Sequence, residues 1–211
     1  MTTLRVPAHA KVNLFLRILA RESSGFHQVE TAFALLELAD ELVLRRTGGA
    51  GGGISLDVQG AADLGPADEN LAVRAARMLL DATGNRFGVA ITLIKRIPVR
   101  AGLGGGSSDA AATLHAVNAL AGNAVPRQEL MHFATRLGAD VAFFASGAPL
   151  ALAWGRGERQ LRLAAPPSHL RREGGISERK RDGAASRNEP NRSRRRTNDR
   201  NAFSRARVRP T

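Results

Sequence analysis

Residues 98–112 constrain the fold of this chain more than any other segment. They read Pro-Val-Arg-Ala-Gly-Leu-Gly-Gly-Gly-Ser-Ser-Asp-Ala-Ala-Ala, with four glycines within five residues and then a pair of serines. A predicted strand precedes the segment, and an alanine-rich predicted helix follows it. Glycines let the backbone approach a ligand closely, and a helix N-terminus presents unpaired N–H groups and a positive dipole end. The order therefore predicts a polyphosphate cradle rather than a plain glycine-rich loop with a serine cap.

The spacing of these glycines excludes two common phosphate loops. No Gly-Lys-Ser/Thr ends the segment, as the loop of P-loop nucleotidases requires. Ser107 stands where the dinucleotide-binding fingerprint has its third glycine. A second glycine-rich run, Gly48–Gly53, has no helix after it, so we interpret it as a flexible hairpin connection without a phosphate-binding role.

The remaining apolar patterns predict an α+β fold, because strands and helices follow one another in mixed order rather than as a regular repeat. Strands are predicted from β-branched and aromatic runs at 4–19, 31–38, 42–46, 54–58 and 88–97. Helices are predicted at 68–83, with Asp68 as the N-cap, at 107–121 and at 127–137. Two short buried strands are predicted at 142–145 and 149–153.

The composition changes abruptly at Arg171. Residues 171–211 carry 14 Lys+Arg and 5 Asp+Glu, and so hold nine of the twelve net positive charges of the 211-residue chain. This segment has few large apolar residues, so we expect residues 164–211 to be a disordered, Arg-rich tail after a folded domain at 1–163. There is no cysteine, signal peptide or long apolar run, and we expect a cytoplasmic protein with no membrane partner.

Five ordered motifs resemble those of the GHMP kinases, which include galactokinase, homoserine kinase and mevalonate kinase. The loop matches the pattern Pro-x-x-x-Gly-Leu-Gly-Gly-Gly-Ser-Ser-x-Ala-Ala, and further matching blocks lie at 8–16, 25–31, 68–71 and 137–141. The resemblance covers about residues 6–163. It implies a GHMP-kinase N-terminal domain, similar to domain 2 of ribosomal protein S5. It also implies ATP as the phosphate donor, with Mg²⁺.

The N-terminal blocks most resemble the family branch that acts in non-mevalonate isoprenoid biosynthesis. Those members phosphorylate the 2-hydroxyl of 4-(cytidine 5'-diphospho)-2-C-methyl-D-erythritol, which makes this cytidine diphosphate compound and ATP the expected small-molecule partners. The resemblance implies that Lys11 and Asp140 are catalytic. It also implies that Asn13, Phe26 and His27 bind the substrate, with Phe26 stacking on cytosine where a tyrosine is usual.

The residues implied for ATP binding are the whole loop, an asparagine before it and the lysine at the end of the preceding strand. They are Pro98, Val99, Arg100, Ala101, Gly102, Leu103, Gly104, Gly105, Gly106, Ser107, Ser108, Asn70 and Lys95. For Lys95, a plain strand-end charge beside Arg96 is the alternative. No carboxylate is marked by its spacing as a metal ligand.

The resemblance ends near Leu163, and nothing after it looks like the C-terminal domain of the GHMP kinases. We therefore expect that domain to be absent, and the tail resembles a gene read in the wrong frame. Three function classes remain open: the kinase, a truncated and inactive relic of it, and non-specific nucleic-acid binding through the tail. The tail has one aromatic residue, Phe203, so no specific nucleic acid is expected.

Overall fold

Two long antiparallel strands form the spine of the fold. In the computed structural model, β1 (Thr3–Arg21) pairs with β2 (His27–Thr47) along almost their whole length. The structure describes residues 2–21, 27–60, 64–155, 157 and 159–164. Irregularities between His9 and Lys11, between Asn13 and Phe15 and between Ile18 and Ala20 interrupt the register of β1. Such irregularities bend a strand and re-aim its side chains.

The other described elements extend this pair into a mixed sheet with helices packed on it. In chain order they are β3 (Ile54–Gln59), α1 (Leu71–Ala82), β4 (Gly88–Ile94), α2 (Gly105–Leu120), α3 (Arg127–Leu137), α4 (Ala139–Ser146), β5 (Leu150–Gly155) and β6 (Arg159–Leu163). The sheet order is β3-β4-β2-β5-β6, with β1 also on β2. Among the described strands, only β3 and β4 pair in parallel, and α1 lies between them in the chain. The predicted α+β class is confirmed.

The core forms where alternate strand residues meet the helices. Leu42 and Leu44 of β2 alternate with more exposed neighbours, as do Val89, Ile91 and Leu93 of β4. These side chains pack in one cluster with α1, α2, α3 and α4. Burying a large aliphatic side chain contributes about 1.5–3 kcal/mol, so this seam holds α2 and its preceding loop against the sheet.

Three of the predictions about local structure are wrong. Residues 142–145 lie in α4 rather than in a strand, because Gly138 and Gly147 bound a short buried run that coils as a helix. The N-cap of α1 is Asn70 and not Asp68, since its Oδ1 accepts the N–H of Ala72 at 2.9 Å. The glycine-rich run before β3 is not a hairpin connection, because β3 pairs with β4 and not with β2.

Element boundaries also differ from those expected. The strands predicted at 31–38 and 42–46 are one continuous strand, β2, because Ala39 and Asp40 pair with β1 through the predicted break. The strand β6 was not expected from its polar sequence, and it adds to β5 as an edge strand. Within the described ranges, no helix is both long and apolar enough to cross a membrane.

Candidate functional site

A cavity of about 370 Å³ lies between the end of β4, the N-terminus of α1 and the N-terminus of α2. Small-molecule sites in proteins have volumes of about 300–1,000 Å³. The lining residues come from two short segments and three single positions, namely 69–71, 98–107, Leu64, Lys95 and Asp109. The glycine-rich segment therefore forms most of the wall of a cavity large enough for a small ligand.

The N-terminus of α2 faces this cavity with unpaired backbone donors. Gly104 is the N-cap, with a φ of 72°, in the left-handed region that favours glycine. The N–H of Ser108 donates to the carbonyl of Gly104 at 2.9 Å, as the fourth residue of a helix does. The N–H groups of Gly105, Gly106 and Ser107 have no acceptor within the helix. Three donors at the positive end of a helix dipole form a site suited to an anion.

The loop packs tightly on the residues beneath it. A Cβ atom added to Gly104 would lie 3.0 Å from the ring of Phe144 and 3.2 Å from Cε of Lys11. A Cβ at Gly105 would lie 3.2 Å from Nζ of Lys95. Gly106, in contrast, has open space where a side chain would be. The first two glycines thus permit close packing, whereas Gly106 leaves the cavity free.

Lys11 and Asp140 lie beside the loop, on β1 and in the first turn of α4. Nζ of Lys11 is 3.4 Å from Oδ2 of Asp140. The Lys11 side chain is buried, whereas that of Asp140 is 35% exposed. The backbone N–H of Lys11 donates to the carbonyl of Leu103 at 2.9 Å, which ties the strand directly to the loop. An ammonium group and an accessible carboxylate therefore meet at the edge of the glycine-rich loop.

A short hydrogen-bond chain along β1 and β2 fixes the Lys11 side chain. Nζ donates to Oδ1 of Asn13 at 2.6 Å, and Nδ2 of Asn13 donates to Oγ1 of Thr31 at 2.8 Å. The hydroxyl of Thr31 donates to the carbonyl of Phe15 at 2.6 Å. The ring of Phe33 lies 5.1 Å from Nζ, within the range of a cation–π contact. Lys11 is thus oriented by neighbours on both strands.

Three buried charged groups lie beneath the loop. Nζ of Lys95 contacts Oδ2 of Asp40, and it lies 2.8 Å from Oδ2 of Asp109. Oδ1 of Asp40 accepts the N–H groups of Arg96 and Ile97 at 2.6 and 2.8 Å. Oδ1 of Asp109 is buried without a hydrogen-bond partner. We refer to Asp40, Lys95 and Asp109 as the buried triad.

The triad shifts the pKa of two of its members. Burial raises the pKa of Asp109 to about 7, against the opposing attraction of Lys95 and with a further contribution from Asp40. Burial lowers the pKa of Lys95, but the two carboxylates outweigh it and leave this pKa above its ordinary value. Two acids and one base in a site of low polarity leave one carboxylate incompletely compensated.

The structure brings together nearly all the residues predicted for ATP binding. All of them line the cavity except Ser108, whose side chain is buried within α2. Lys95 lines the cavity too, yet its Nζ is bound to carboxylates, so it is not the plain strand-end charge of the alternative interpretation. Asn70 lines the cavity while its side chain caps α1. Their role in binding ATP stays a prediction.

The structure describes fewer of the residues predicted to bind the substrate. Asn13 lies next to Lys11, as given above. Phe26 lies outside the described residues, and only the backbone of His27, the first residue of β2, is described. The roles of all three stay predictions.

Sequence reasoning missed several residues of the site. Asp40 and Asp109 belong to the buried triad. Thr31 belongs to the hydrogen-bond chain that orients Lys11. Phe33 packs against Lys11, and Phe144 lies next to Gly104. No signal in the sequence distinguished Asp40, because Glu37 and Glu41 lie in the same strand run. The others depend on contacts between distant segments, which the sequence pattern does not contain.

Comparisons with known proteins agree with this geometry. Residues 70–148 match the family model "GHMP kinases N terminal domain". The chain is 46% identical over 168 residues to the 4-diphosphocytidyl-2-C-methyl-D-erythritol kinase of Bordetella parapertussis, covering 80% of this chain and 54% of that protein. It is 49% identical over 164 residues to the enzyme of the same name from Pelotomaculum thermopropionicum, covering 77% and 56%.

A solved structure gives the same result in three dimensions. A crystal structure of 4-(cytidine 5'-diphospho)-2C-methyl-D-erythritol kinase matches with a TM-score of 0.65 and 46% identity, covering 77% of this chain and 56% of that one. The described part of the chain thus has the α+β fold of a GHMP kinase N-terminal domain. These relatives are, by their names, kinases of 4-diphosphocytidyl-2-C-methyl-D-erythritol. The chain spans about half the length of the curated relatives it matches.

Proposed function

We propose that this chain binds ATP in the glycine-rich cavity and takes part in transferring its terminal phosphoryl group to a hydroxyl of 4-(cytidine 5'-diphospho)-2-C-methyl-D-erythritol. One observation carries the proposal. The ion pair of Lys11 and Asp140 adjoins the unpaired N–H groups that begin α2. An anion cradle beside a fixed ammonium and an accessible carboxylate is the arrangement that phosphoryl transfer to an alcohol requires.

The cradle supplies binding and charge stabilisation. The N–H groups of Gly105, Gly106 and Ser107 would donate to phosphate oxygens, and the dipole of α2 favours the negative charge that they carry. Such donors are fixed before the ligand arrives, so they need no reorganisation during the reaction. The residues at 98–104 and Asn70 would contact the rest of the nucleotide, since they line the same cavity.

Lys11 and Asp140 supply the chemistry at the acceptor hydroxyl. Asp140 is accessible enough to accept the hydroxyl proton as the oxygen–phosphorus bond forms and the bond to the leaving diphosphate breaks. The ammonium of Lys11 would stabilise the charge on the transferring phosphoryl oxygens. Asn13 and Thr31 hold Lys11 in place, so its position does not depend on the substrate.

Mg²⁺ is implied by the kinase family rather than by a prebuilt protein site. Within the described part of the chain, no group of three or more His, Asp or Glu side chains could hold a metal ion. Mg²⁺ in kinases is bound through phosphates plus one or two carboxylates, and Glu69, exposed at the cavity wall, fits that smaller role. When bound, the ion neutralises charge on the phosphates.

The cytidine specificity rests on the relatives and on the sequence. Both named relatives act, by their names, on a diphosphocytidyl compound. Phe26 and His27 would stack on the base and bind its edge, and Asn13 would contact the substrate. A small-molecule partner, a cytoplasmic location and no specific nucleic acid complete the proposal.

Isothermal titration calorimetry and a coupled ADP-release assay test the proposal together. We expect the intact chain to bind ATP with Mg²⁺ and to release ADP only when the cytidine diphosphate substrate is present. Phe26→Ala should weaken binding of that substrate by about ten- to a hundredfold, since base stacking contributes about 1–3 kcal/mol, with ATP affinity unchanged. A chain that binds no ATP would refute the proposal.

A second candidate is nucleotide binding without turnover. The observation in its favour is that the match spans only 54–56% of the relatives, so the matched half need not suffice for catalysis. Under this alternative, the chain binds ATP but releases no ADP with any acceptor. Under the same conditions, one of the longer relatives should be active.

A further inference from the structure

We infer that the buried triad positions the phosphate loop, and that Asp109 lowers the affinity of the loop for polyphosphate when its carboxyl group is ionised. This inference rests on the proposed function, because it assumes that the cavity binds a nucleotide. Neither Asp40 nor Asp109 belongs to the catalytic pair, so both act as positioning residues.

The triad ties together the two ends of the loop. Asp40 of β2 accepts the N–H groups of Arg96 and Ile97, the residues just after Lys95 at the entrance to the loop. Asp109 lies in α2, five residues after the N-cap, at the exit of the loop. Lys95 bonds to both carboxylates. A single network therefore fixes where the chain leaves the sheet and where α2 begins.

The triad also places charge directly beneath the cradle. Nζ of Lys95 would lie 3.2 Å from a Cβ on Gly105, the first residue of α2. Lys95 and Asp109 both line the cavity. With both carboxylates ionised, the triad carries a net charge of −1, whereas protonation of one carboxylate makes it neutral. A bound polyphosphate is an anion, so it should favour the neutral form.

Asp109 is the member of the triad that can take up this proton. Its Oδ1 is buried without a partner, so an added proton would disrupt no existing hydrogen bond. Both oxygens of Asp40, in contrast, accept hydrogen bonds. The near-neutral pKa of Asp109 agrees with this assignment.

Among the described residues, the charged groups on the elements that surround Asp109 are paired elsewhere or exposed. The charges that act on it are Lys95 and Asp40, from the β4 end and β2. On β1 and α4, Lys11 and Asp140 pair with each other. His115 of α2 itself contacts the carbonyl of Ala145. The charged side chains of α1 and α3, and those on the cavity wall, are exposed or half-buried, namely Arg74, Arg77, Asp81, Arg127, Glu129, His132, Arg136, Glu69 and Arg100.

The pH dependence of ligand affinity tests the inference. The dissociation constants of a non-hydrolysable ATP analogue with Mg²⁺ and of inorganic tripolyphosphate are measured at pH 6 and pH 8. In the unaltered chain, we expect both to rise by about fivefold or more between these values. Asp109→Asn should abolish the part of this rise that comes from the carboxyl group, because its amide still accepts from Lys95 but does not titrate. Asp57→Asn, an exposed change on β3, is the matched control and should keep the full rise.

A second measurement needs no variant. Carboxyl ¹³C NMR of the unaltered chain should show one aspartate that titrates near neutral pH, and the ligand should raise its midpoint, because coupling between two binding events is reciprocal. Asp40→Asn should lower that midpoint, since Asp40 contributes to the raised pKa of Asp109. Its amide oxygen still accepts the two backbone N–H groups.

The outcomes separate the inference from the proposed function. An equal pH dependence in the Asp109→Asn variant and the unaltered chain, or a midpoint that the ligand does not move, would overturn the inference. Tripolyphosphate binding with the expected pH dependence, but no binding of the ATP analogue, would support the inference and overturn the proposed function.

Discussion

Lys11 is held by its neighbours before any ligand arrives. Asn13 accepts from its Nζ, Phe33 lies beneath it, and Asp140 is 3.4 Å away. Such preorganisation favours a role in stabilising charge during a reaction, because no side chain has to be ordered at that moment. The same contacts make Lys11 and its partner the clearest targets for substitution.

Loss of either member of this pair should remove turnover and keep nucleotide binding. We expect Lys11→Met and Asp140→Asn each to lower the rate of ADP release by about 10²–10⁴, the usual effect of losing one positioned catalytic group. Asp81→Asn, an exposed change on α1, serves as the control. Near-normal turnover in Asp140→Asn would place proton acceptance elsewhere.

A side chain at Gly106 should block the cradle without disturbing the fold. Its added Cβ meets no atom within 4 Å, and its backbone is helical. We expect Gly106→Val to weaken ATP binding at least tenfold, or about 1.4 kcal/mol, measured by calorimetry. Gly49→Val also places a side chain in open space, but at a position outside the cavity wall, so it should leave the affinity for ATP unchanged. Gly104 is a poorer target, because its side chain would displace Phe144 and Lys11.

At the scale of elements, the start of α1 depends on one hydrogen bond. Oδ1 of Asn70 accepts the N–H of Ala72, whereas Asp68 lies in the exposed turn before it. We expect Asn70→Ala to lower the free energy of unfolding by about 0.5–2 kcal/mol in urea titrations. Asp68→Ala should change it by far less. A larger effect of Asp68→Ala than of Asn70→Ala would show that Asp68 is the N-cap, as the sequence predicts.

The helix α4 carries Asp140 and is anchored by Phe143. This side chain is fully buried, and its ring centroid lies 4.8 Å from that of Phe33 on β2. We expect Phe143→Ala to lower the free energy of unfolding by about 3–5 kcal/mol, because it leaves a cavity between helix and sheet. Phe15→Ala, at a 40% exposed position, should have a much smaller effect.

At the scale of the whole molecule, the buried triad should make stability depend on pH. The pKa of Asp109 rises from an ordinary value of 3.8 to about 7 on folding, so the folded state binds more protons between these values. Its contribution to stability is therefore complete below about pH 4 and is lost as the pH rises through 7. We expect Asp109→Asn to gain stability relative to the unaltered chain between pH 5 and pH 8, measured by thermal unfolding without ligand. A constant difference would contradict this prediction.

Sequence patterns by themselves determined the local structure of the site. The strand, glycine loop and helix at 88–120 follow from apolar spacing and from residues with strong backbone preferences. The sequence also predicted most of the cavity wall, because residues 98–107 form one continuous glycine-rich segment. The resemblance of five motifs to the GHMP kinases was also a property of the sequence, and the comparisons confirm it.

Only the tertiary structure decided which distant residues meet at this loop. Asp40 is 55 residues from Lys95, and Thr31 is 18 from Asn13, so no periodicity relates them. The strand predicted at 142–145 became part of α4 for a related reason. A short apolar run suits either a helix or a strand, and the surrounding packing selects between them. Burial of charge is likewise a property of the assembled core, which is why Asp40 of a strand and Asp109 of a helix share Lys95 beneath the glycine-rich loop.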